Sequence, residues 1–161
     1  MGSPWLDYGL HVYQVKSTTQ TRRKFRQVSR EACGESMEPP DDSAIMFGQL
    51  TAEDNDPVVC VICSRPAKTD VLDETNRDFF HWINFLFVKG DFQRRGFGSL
   101  LLNAAERELR LQALRPIRVE SAKRAVEFFK SQGYRIIGDP LDCVFPGSAL
   151  FRTLQTMQKF F

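Results

Sequence analysis

The sequence predicts a mixed α/β fold, with a central, largely antiparallel β-sheet of six to seven strands and helices on both of its faces. Apolar runs of strand length alternate with stretches in which apolar residues recur at helical spacing. Three of the apolar runs follow one another directly, which predicts an antiparallel meander. Helical stretches stand before and after that meander. The resulting order, β-α-β-β-β-α-β-α-β-β, is typical of a mixed sheet with helices packed against it.

The composition predicts one globular domain over residues 1–161, with residues 1–8 as a loose lead-in. The chain is 42% apolar and 26% charged, which is ordinary for a soluble domain. The net charge of +2 gives no reason to expect a nucleic-acid or membrane partner. Because there is no signal segment and no run that approaches 18 apolar residues, we expect an intracellular, cytoplasmic protein that does not span a membrane.

The four cysteines are expected to be reduced thiols that serve as small apolar residues. Cys60 and Cys63 form a Cys-x-x-Cys pair, but this pair lies inside an apolar strand-like run. Residues three apart on a strand face opposite sides, so the pair is poorly placed to bind one metal ion. Cys33 and Cys143 stand alone, and we expect no metal site.

The first half of the chain contains one helix and the meander. A strand over 10–15 is followed by a helix that Ser17 or Thr18 can cap, with Phe25 on its apolar side, and this helix ends at Gly34. A loop over 35–43 leads into the meander. Its strands are predicted at 44–50, 58–64 and 79–88, with a polar connection over 66–78 before the third.

The second half alternates helices with short strands. A helix begins near Ser99, and a strand over 117–120 follows it. A second helix, with Phe128 and Phe129 on its apolar side, ends at Gly133. A strand over 134–137, a loop over 138–148 and a last strand over 149–157 complete the chain.

The junction between the long strand and the helix near Ser99 has the features of an anion-binding loop. Gly96 and Gly98 allow the backbone to curl tightly and a ligand to approach closely. The backbone N–H groups of such a loop, at the positive end of a helix, suit a pyrophosphate, and Arg94 and Arg95 add positive charge. The pattern is neither a Walker loop nor a complete dinucleotide fingerprint, because Leu101 stands where the third glycine would be.

Two sequence blocks resemble the GNAT superfamily of acetyl-CoA-dependent N-acetyltransferases. Residues 93–98, QRRGFG, resemble its acetyl-CoA signature, Gln/Arg-x-x-Gly-x-Gly/Ala after a strand. Residues 125–134, AVEFFKSQGY, are similar to its Ala-x-x-Phe-Tyr-x-x-x-Gly-Phe block. The two blocks stand in the family's order, and together they are more specific than either one alone.

The resemblance implies an enzyme that transfers an acetyl group from acetyl-CoA to a primary amine of an unidentified acceptor by direct attack. The backbone of Leu86, Phe87 and Val88 would pair with the pantetheine arm, which a splay between the long strand and the strand over 117–120 would admit. Loops 34–43 and 138–148 would bound the acceptor, and the sequence leaves open a homodimer. The implied cofactor-binding residues are Leu86, Phe87, Val88, Gln93, Arg94, Arg95, Gly96, Phe97, Gly98, Ser99 and Phe129.

Three departures from the family pattern concern catalysis. Phe129 replaces a tyrosine that often protonates the leaving thiolate, Ala122 replaces a frequent asparagine, and Trp82 stands where lysine-specific members carry a glutamate base. They leave open an alternative, a non-catalytic acyl-CoA-binding or regulatory module, and a third reading, a nucleotide-binding regulator that uses the same loop.

The sequence offers three catalytic candidates in place of the missing groups. His81 titrates near neutrality, although a histidine that only packs on the sheet is the plainer alternative. Asn84 shares the face of Trp82 and can position a water molecule, and Glu120 ends the strand over 117–120. Like Glu120, Tyr134 is a secondary candidate.

Overall fold

The computed structural model describes residues 9–142 and 153–160, which form eight strands and three α-helices. The strands are β1 (His11–Val15), β2 (Ala44–Gln49), β3 (Val58–Arg65), β4 (His81–Val88), β5 (Ile117–Ala122), β6 (Arg135–Ile136), β7 (Leu141–Asp142) and β8 (Thr153–Lys159). The helices are α1 (Thr19–Cys33), α2 (Phe97–Gln112) and α3 (Val126–Ser131). Among the described residues, no helix is long and apolar enough to cross a membrane.

The strands follow the order β1-β2-β3-β4-β5-β8-β6, and β7 also pairs with β8. The β1–β2, β2–β3 and β5–β8 pairs are antiparallel, whereas β4 and β5 are parallel. This confirms the prediction of a mixed, largely antiparallel sheet. The strand count is eight rather than six to seven, because β7 forms inside the segment that was predicted as a loop over 138–148.

The chain divides into two compact units. The first takes in the chain up to Arg65 together with Asn84–Glu108, and the second takes in Pro66–Ile83 and the chain from Leu109 onward. Strand β4 and helix α2 each contribute residues to both units, so neither unit is one continuous stretch. The prediction of a single domain over residues 1–161 stays a prediction.

In the first unit, α1 packs on β3. The helix begins at the predicted cap, where Thr18 and Thr21 form a reciprocal capping box. It ends at Gly34, whose φ of 86° is the left-handed conformation that glycine adopts most easily. Phe25 and Val28 are fully buried, as is most of β3, so the core of this unit lies between the helix and the strand.

Strands β2 and β3 approach each other so closely at Gly48 that there is no room for a side chain at this position. Gly48 stands opposite Cys60 in the antiparallel register, and a Cβ at this position would overlap the Sγ atom of Cys60. We expect Gly48→Ala to lower the free energy of unfolding by about 1–3 kcal/mol, because the Cys60 side chain or the strand must shift to relieve the overlap. In a Cys60→Ala background the same change should cost less, and urea denaturation of the four proteins measures this coupling. An equal cost in both backgrounds would contradict this explanation.

In the second unit, the first residues of β4 pair with β5 in a parallel register from His81 opposite Ile117 to Ile83 opposite Val119. Strand β5 then pairs along its whole length with β8. A parallel pair needs a crossover connection, and the chain between β4 and β5 contains α2. Residues in β5 alternate between buried and half-buried, so one face of this strand belongs to the core and the other is partly open.

Several predicted boundaries move. Strand β4 begins at His81 rather than Phe79, because Arg77–Phe79 forms a 3₁₀ turn that the side chain of Asn76 caps. Helix α2 begins at Phe97, two residues before Ser99, so Gly98 lies in the first turn of the helix and not in the loop. The last strand begins at Thr153 in the described part of the chain.

Residues 1–8, Cys143 and the start of the predicted strand at 149–152 lie outside the described residues.

The described cysteines are Cys33, Cys60 and Cys63, and all three are free thiols, as predicted. Burial raises the pKa of the Cys60 thiol to about 12, and that of Cys63 likewise to about 12. The thiolate is the reactive form, so these buried thiols are inert as nucleophiles at neutral pH.

Candidate active site

The loop between β4 and α2 begins with a 3₁₀ turn and ends at the start of the helix. Residues Gly90–Phe92 form a 3₁₀ turn, and the chain then runs through Gln93–Gly96 into α2. The Lys89 N–H donates to the carbonyl oxygen of Val59 at 2.9 Å, and the Gln93 side-chain amide donates to that of Val88 at 2.8 Å. These bonds fix the start of the loop to the end of the strand, so its position follows from the sheet.

Two residues of this loop adopt the left-handed backbone conformation. Arg94 has a φ of 64° and Gly96 a φ of 82°, and Arg94 is the one non-glycine residue with positive φ in the described part of the chain. Turns that contain left-handed residues can direct backbone N–H groups toward an anion. Strain of this kind is typical of ligand-binding loops.

Helix α2 begins directly after this loop. Its first hydrogen bond runs from the Leu100 N–H to the Gly96 carbonyl oxygen at 3.1 Å, so the amides of Phe97 and Gly98 precede the helical ladder. A Cβ on Gly96 would have no atom within 4 Å, so the space beside it is open to a ligand. Phe97 is buried and anchors the helix start, while Arg94 and Arg95 are exposed. We call residues 93–99 the cradle.

The strand that leads into the cradle is anchored by aromatic side chains. Phe87 is buried, with its ring centroid 5.7 Å from that of Phe85 and 6.1 Å from that of Phe25. Leu86 and Val88 are half-buried. The side chain of Phe87 therefore holds this part of β4 in place, whichever backbone groups a ligand uses.

Asn84 carries a buried polar atom without a partner. Its Oδ1 atom is shielded from solvent and accepts no hydrogen bond from any described residue. Such an acceptor costs free energy unless a donor reaches it. An amine N–H or a water molecule would satisfy it.

His81 is fully buried, and both of its ring nitrogens are hydrogen-bonded to backbone. Nδ1 accepts from the Ala67 N–H at 2.8 Å, so Nε2 carries the proton and donates it to the Ala113 carbonyl oxygen at 2.8 Å. Burial is the main reason that its pKa lies below the usual value, and the nearby charge of Arg115 lowers it further. The role of His81 as a base stays a prediction, and it would require one of these two hydrogen bonds to open.

The arrangement around His81 predicts a pH dependence of stability. Because burial disfavours the charged form of His81, its folded-state pKa lies below the unfolded value of about 6.5. The unfolded chain then binds the proton more readily, and stability is full above about pH 6.5 and falls as the pH drops through the folded-state pKa. We expect urea midpoints to fall between about pH 7.5 and pH 5 more steeply in the wild type than in His81→Gln. If the urea midpoints of the two proteins fell equally with pH, His81 would not be the cause of this pH dependence.

In the second unit, Arg77 lies over the ring of Trp82 and pairs with Glu120. We call these three residues the stack. Trp82 is 4% exposed, and the Arg77 guanidinium lies 3.8 Å from the centroid of its ring. The Trp82 indole N–H donates to the Arg77 carbonyl oxygen at 2.9 Å. Arg77 Nη1 lies 2.7 Å from Glu120 Oε1, and the Glu120 side chain remains 29% exposed. The stack therefore presents an oriented, solvent-accessible carboxylate.

Phe129 lies in a buried aromatic cluster. Its ring centroid is 5.4 Å from that of Tyr134 and 5.1 Å from that of Phe128, both edge-on. Phe129 has no proton to donate, and Ala122, another of the three replaced positions, ends β5. The cofactor-binding role of Phe129 stays a prediction.

The role of Arg77 was not predicted from the sequence. This residue lies in a segment that was interpreted as a polar connection, and its partner Glu120 follows 43 positions later. Its one local signal was the cap residue Asn76 immediately before it, which marks the turn but not the stacking on Trp82.

Comparison with known proteins places the chain among acetyltransferases. The family model described as "Acetyltransferase (GNAT) domain" matches residues 16–144. No curated protein matches the sequence at a significant level. The fold is similar to that of several solved structures, all at low sequence identity.

Three solved structures illustrate the similarity. Naa50 of Arabidopsis thaliana, bound to the bisubstrate analogue CoA-Ac-MVNAL, has a TM-score of 0.69 and 17% identity over 95% of this chain and 99% of that one. The ribosomal-protein-S18-alanine N-acetyltransferase of Escherichia coli has a TM-score of 0.68 and 13% identity over 93% and 92% of the two chains. Ard1 of Thermoplasma volcanium has a TM-score of 0.68 and 17% identity over 94% and 97%.

Proposed function

Because the chain belongs to the GNAT acetyltransferase family, we propose that it transfers the acetyl group of acetyl-CoA to a primary amine on an acceptor molecule. The observation that carries this proposal is the cradle. Two left-handed residues and the start of a 16-residue helix lie together in an open loop that follows strand β4. Such a loop is suited to the pyrophosphate of CoA, which every acyl-CoA donor carries.

The cradle residues fit the cofactor by their chemistry. We assign the pyrophosphate to the backbone amides of residues 94–98, with Arg94 and Arg95 as exposed countercharges. The backbone of Leu86–Val88 would pair with the amides of the pantetheine arm. The ladder between β4 and β5 supports this assignment, because its register covers His81–Ile83 and not these later residues of β4.

When bound, acetyl-CoA supplies a thioester whose carbonyl carbon the neutral amine attacks directly. The nitrogen–carbon bond forms, the carbon–sulfur bond breaks, and the sulfur leaves as the CoA thiolate. The Val88 N–H would donate to the carbonyl oxygen as negative charge develops on it. The proton of the attacking amine passes to a base, directly or through one water molecule.

We assign the base to Glu120. Of the three predicted catalytic residues, His81 has both ring nitrogens hydrogen-bonded to backbone. Asn84 is an amide, which does not accept a proton near neutral pH. Glu120 is partly exposed, and one of its oxygen atoms is held by Arg77 at 2.7 Å. The buried Oδ1 of Asn84 needs a donor, and the role of Asn84 in positioning a water molecule stays a prediction.

The leaving thiolate has no acid in the position that the family pattern suggests. Phe129 packs against two aromatic rings and cannot donate a proton. A thiol is acidic enough to leave as the thiolate with little help, so water can protonate it afterwards. The replacement at Phe129 therefore does not prevent acetyl transfer.

Calorimetry and an assay of CoA release test the proposal together. We expect acetyl-CoA to bind, ATP to bind more weakly, and CoA to be released when a panel of amines is added. Tight acetyl-CoA binding without CoA release for any amine would favour the non-catalytic module. A preference for ATP over acetyl-CoA would favour a nucleotide-binding regulator.

A further inference from the structure

One face of the second unit's sheet gathers three arginines. The register places Trp82 opposite Arg118, Arg118 opposite Gln158, and Gln158 opposite Arg135. Side chains of directly paired residues project from the same face of a sheet. Arg118 and Arg135 therefore share the face of Trp82, and Arg77 joins them by stacking on the Trp82 ring. We call Arg77, Arg118 and Arg135 the arginine face.

Arg118 is held in a fixed position on this face. Its guanidinium carbon lies 3.6 Å from the centroid of the Phe80 ring, and its Nε–H donates to the Gln158 side-chain oxygen at 2.8 Å. An aromatic plate beneath the guanidinium and one fixed hydrogen bond limit the rotation of the planar group. The donors at its far end then remain available in a defined direction.

The charges on the arginine face are not balanced. Three guanidinium groups face one carboxylate, that of Glu120, which pairs with Arg77 at 2.7 Å. Among residues 9–142 and 153–160, neither Arg118 nor Arg135 forms an ion pair with a carboxylate. Burial and the nearby charge of Arg77 lower the pKa of Arg118, so the folded protein disfavours this positive charge as it stands. A half-buried, fixed cation of this kind is stabilised by an anion.

We propose that the arginine face binds a carboxylate of the acceptor, so that the acetylated amine belongs to a molecule that also carries an acidic group. The bidentate fork of arginine matches the geometry of a carboxylate. Glu120 lies on the same face, two residues along β5 from Arg118, and would accept the ammonium proton of the same molecule. This inference rests on the proposed function for its link to acetyl transfer.

A free amino acid and a peptide with an acidic residue near its N-terminus offer the same chemistry, and matched substrate pairs distinguish them. The first arm compares glutamate with glutamine, and the second compares pentapeptides that differ by Asp or Asn at the second position. We expect the acidic member of at least one pair to have a kcat/KM at least roughly tenfold higher, which is typical of one charge-assisted hydrogen bond. The arm that shows this preference identifies the source of the carboxylate.

Three variants test which arginine is responsible. We expect Arg118→Gln to abolish the preference mainly through a higher KM, and Arg135→Gln to reduce it. Arg107→Gln, which removes an exposed charge from α2, should leave the preference unchanged. Because Arg135 is exposed on the short strand β6, its variant remains informative if Arg118→Gln does not fold.

A binding assay is independent of catalysis. In a Trp5→Phe background Trp82 is the remaining tryptophan, and its fluorescence should respond to glutarate but not to glutaramide. Equal kcat/KM values for both members of every pair, or a preference that survives in Arg118→Gln, would overturn the inference while leaving the acetyltransferase proposal intact. If no amine is acetylated, the proposed function fails, and the glutarate response alone decides whether the arginine face binds carboxylates.

Discussion

Replacing Gly96 with alanine is expected to weaken acetyl-CoA binding by roughly 100-fold, the effect of losing one to two charge-assisted hydrogen bonds to phosphate. The φ of Gly96 is 82°, a conformation that a residue with a Cβ adopts only at a cost. Nothing lies within 4 Å of a Cβ at this position, so a steric clash inside the protein is not the cause. The loop instead relaxes away from the left-handed conformation, and the amides that face the pyrophosphate turn with it.

Gly34 provides a matched control for this experiment. Its φ is 86°, and a Cβ there would also meet no atom within 4 Å. Alanine at either position should cost about 1 kcal/mol of stability, because the strain is the same. Only Gly96→Ala should reduce acetyl-CoA affinity in calorimetry. An equal loss of affinity in the two variants would indicate a general effect on folding. Full affinity in Gly96→Ala would contradict the proposal that the cradle binds the pyrophosphate of acetyl-CoA.

The second large effect is expected at Glu120. We expect Glu120→Gln to lower kcat by about 100- to 1,000-fold, the range typical for removal of a general base. The glutamine keeps the size and can still accept a hydrogen bond from Arg77, which lies 2.7 Å from the carboxylate in the wild type. The affinity for acetyl-CoA should change by less than about twofold, since Glu120 lies outside the cradle.

Glu127→Gln is the control for this variant. Glu127 is an exposed glutamate on α3 that pairs weakly with Lys130 at 3.5 Å, so its loss removes the same charge without touching the stack. Its kcat should equal that of the wild type. If Glu120→Gln retains full activity while His81→Gln loses it with the fold intact, the base is His81, and one of the two hydrogen bonds of that histidine opens during turnover.

The elements of the fold were predictable because their signals are local. The cap at Thr18, the glycine at Gly34 and the periodicity of α1 all lie within one stretch, and the structure confirms them. The cradle was equally visible, since a strand, two arginines, two glycines and a helix are consecutive. The left-handed conformation of Arg94 was not predictable from the sequence, because arginine has no preference for that conformation.

The catalytic part of the site was harder to predict because its contacts join distant residues. His81 looked like a base from its type alone, but its partners Ala67 and Ala113 stand 14 and 32 positions away. The pairing of Arg77 with Glu120 depends likewise on the parallel register of β4 and β5. Without that register, no pattern in the sequence indicates which charged residues meet.

The most direct test of the proposed function follows a labelled acetyl group. The protein is incubated with acetyl-CoA that carries carbon-13 in its acetyl group and with an acidic amine, and mass spectrometry reads the acceptor. The proposal predicts a labelled, N-acetylated acceptor with the wild type and with Glu127→Gln, and at least tenfold less label with Gly96→Ala and Glu120→Gln at limiting acetyl-CoA. An unlabelled acceptor with wild-type protein that binds acetyl-CoA, across the full panel of amines, would contradict it.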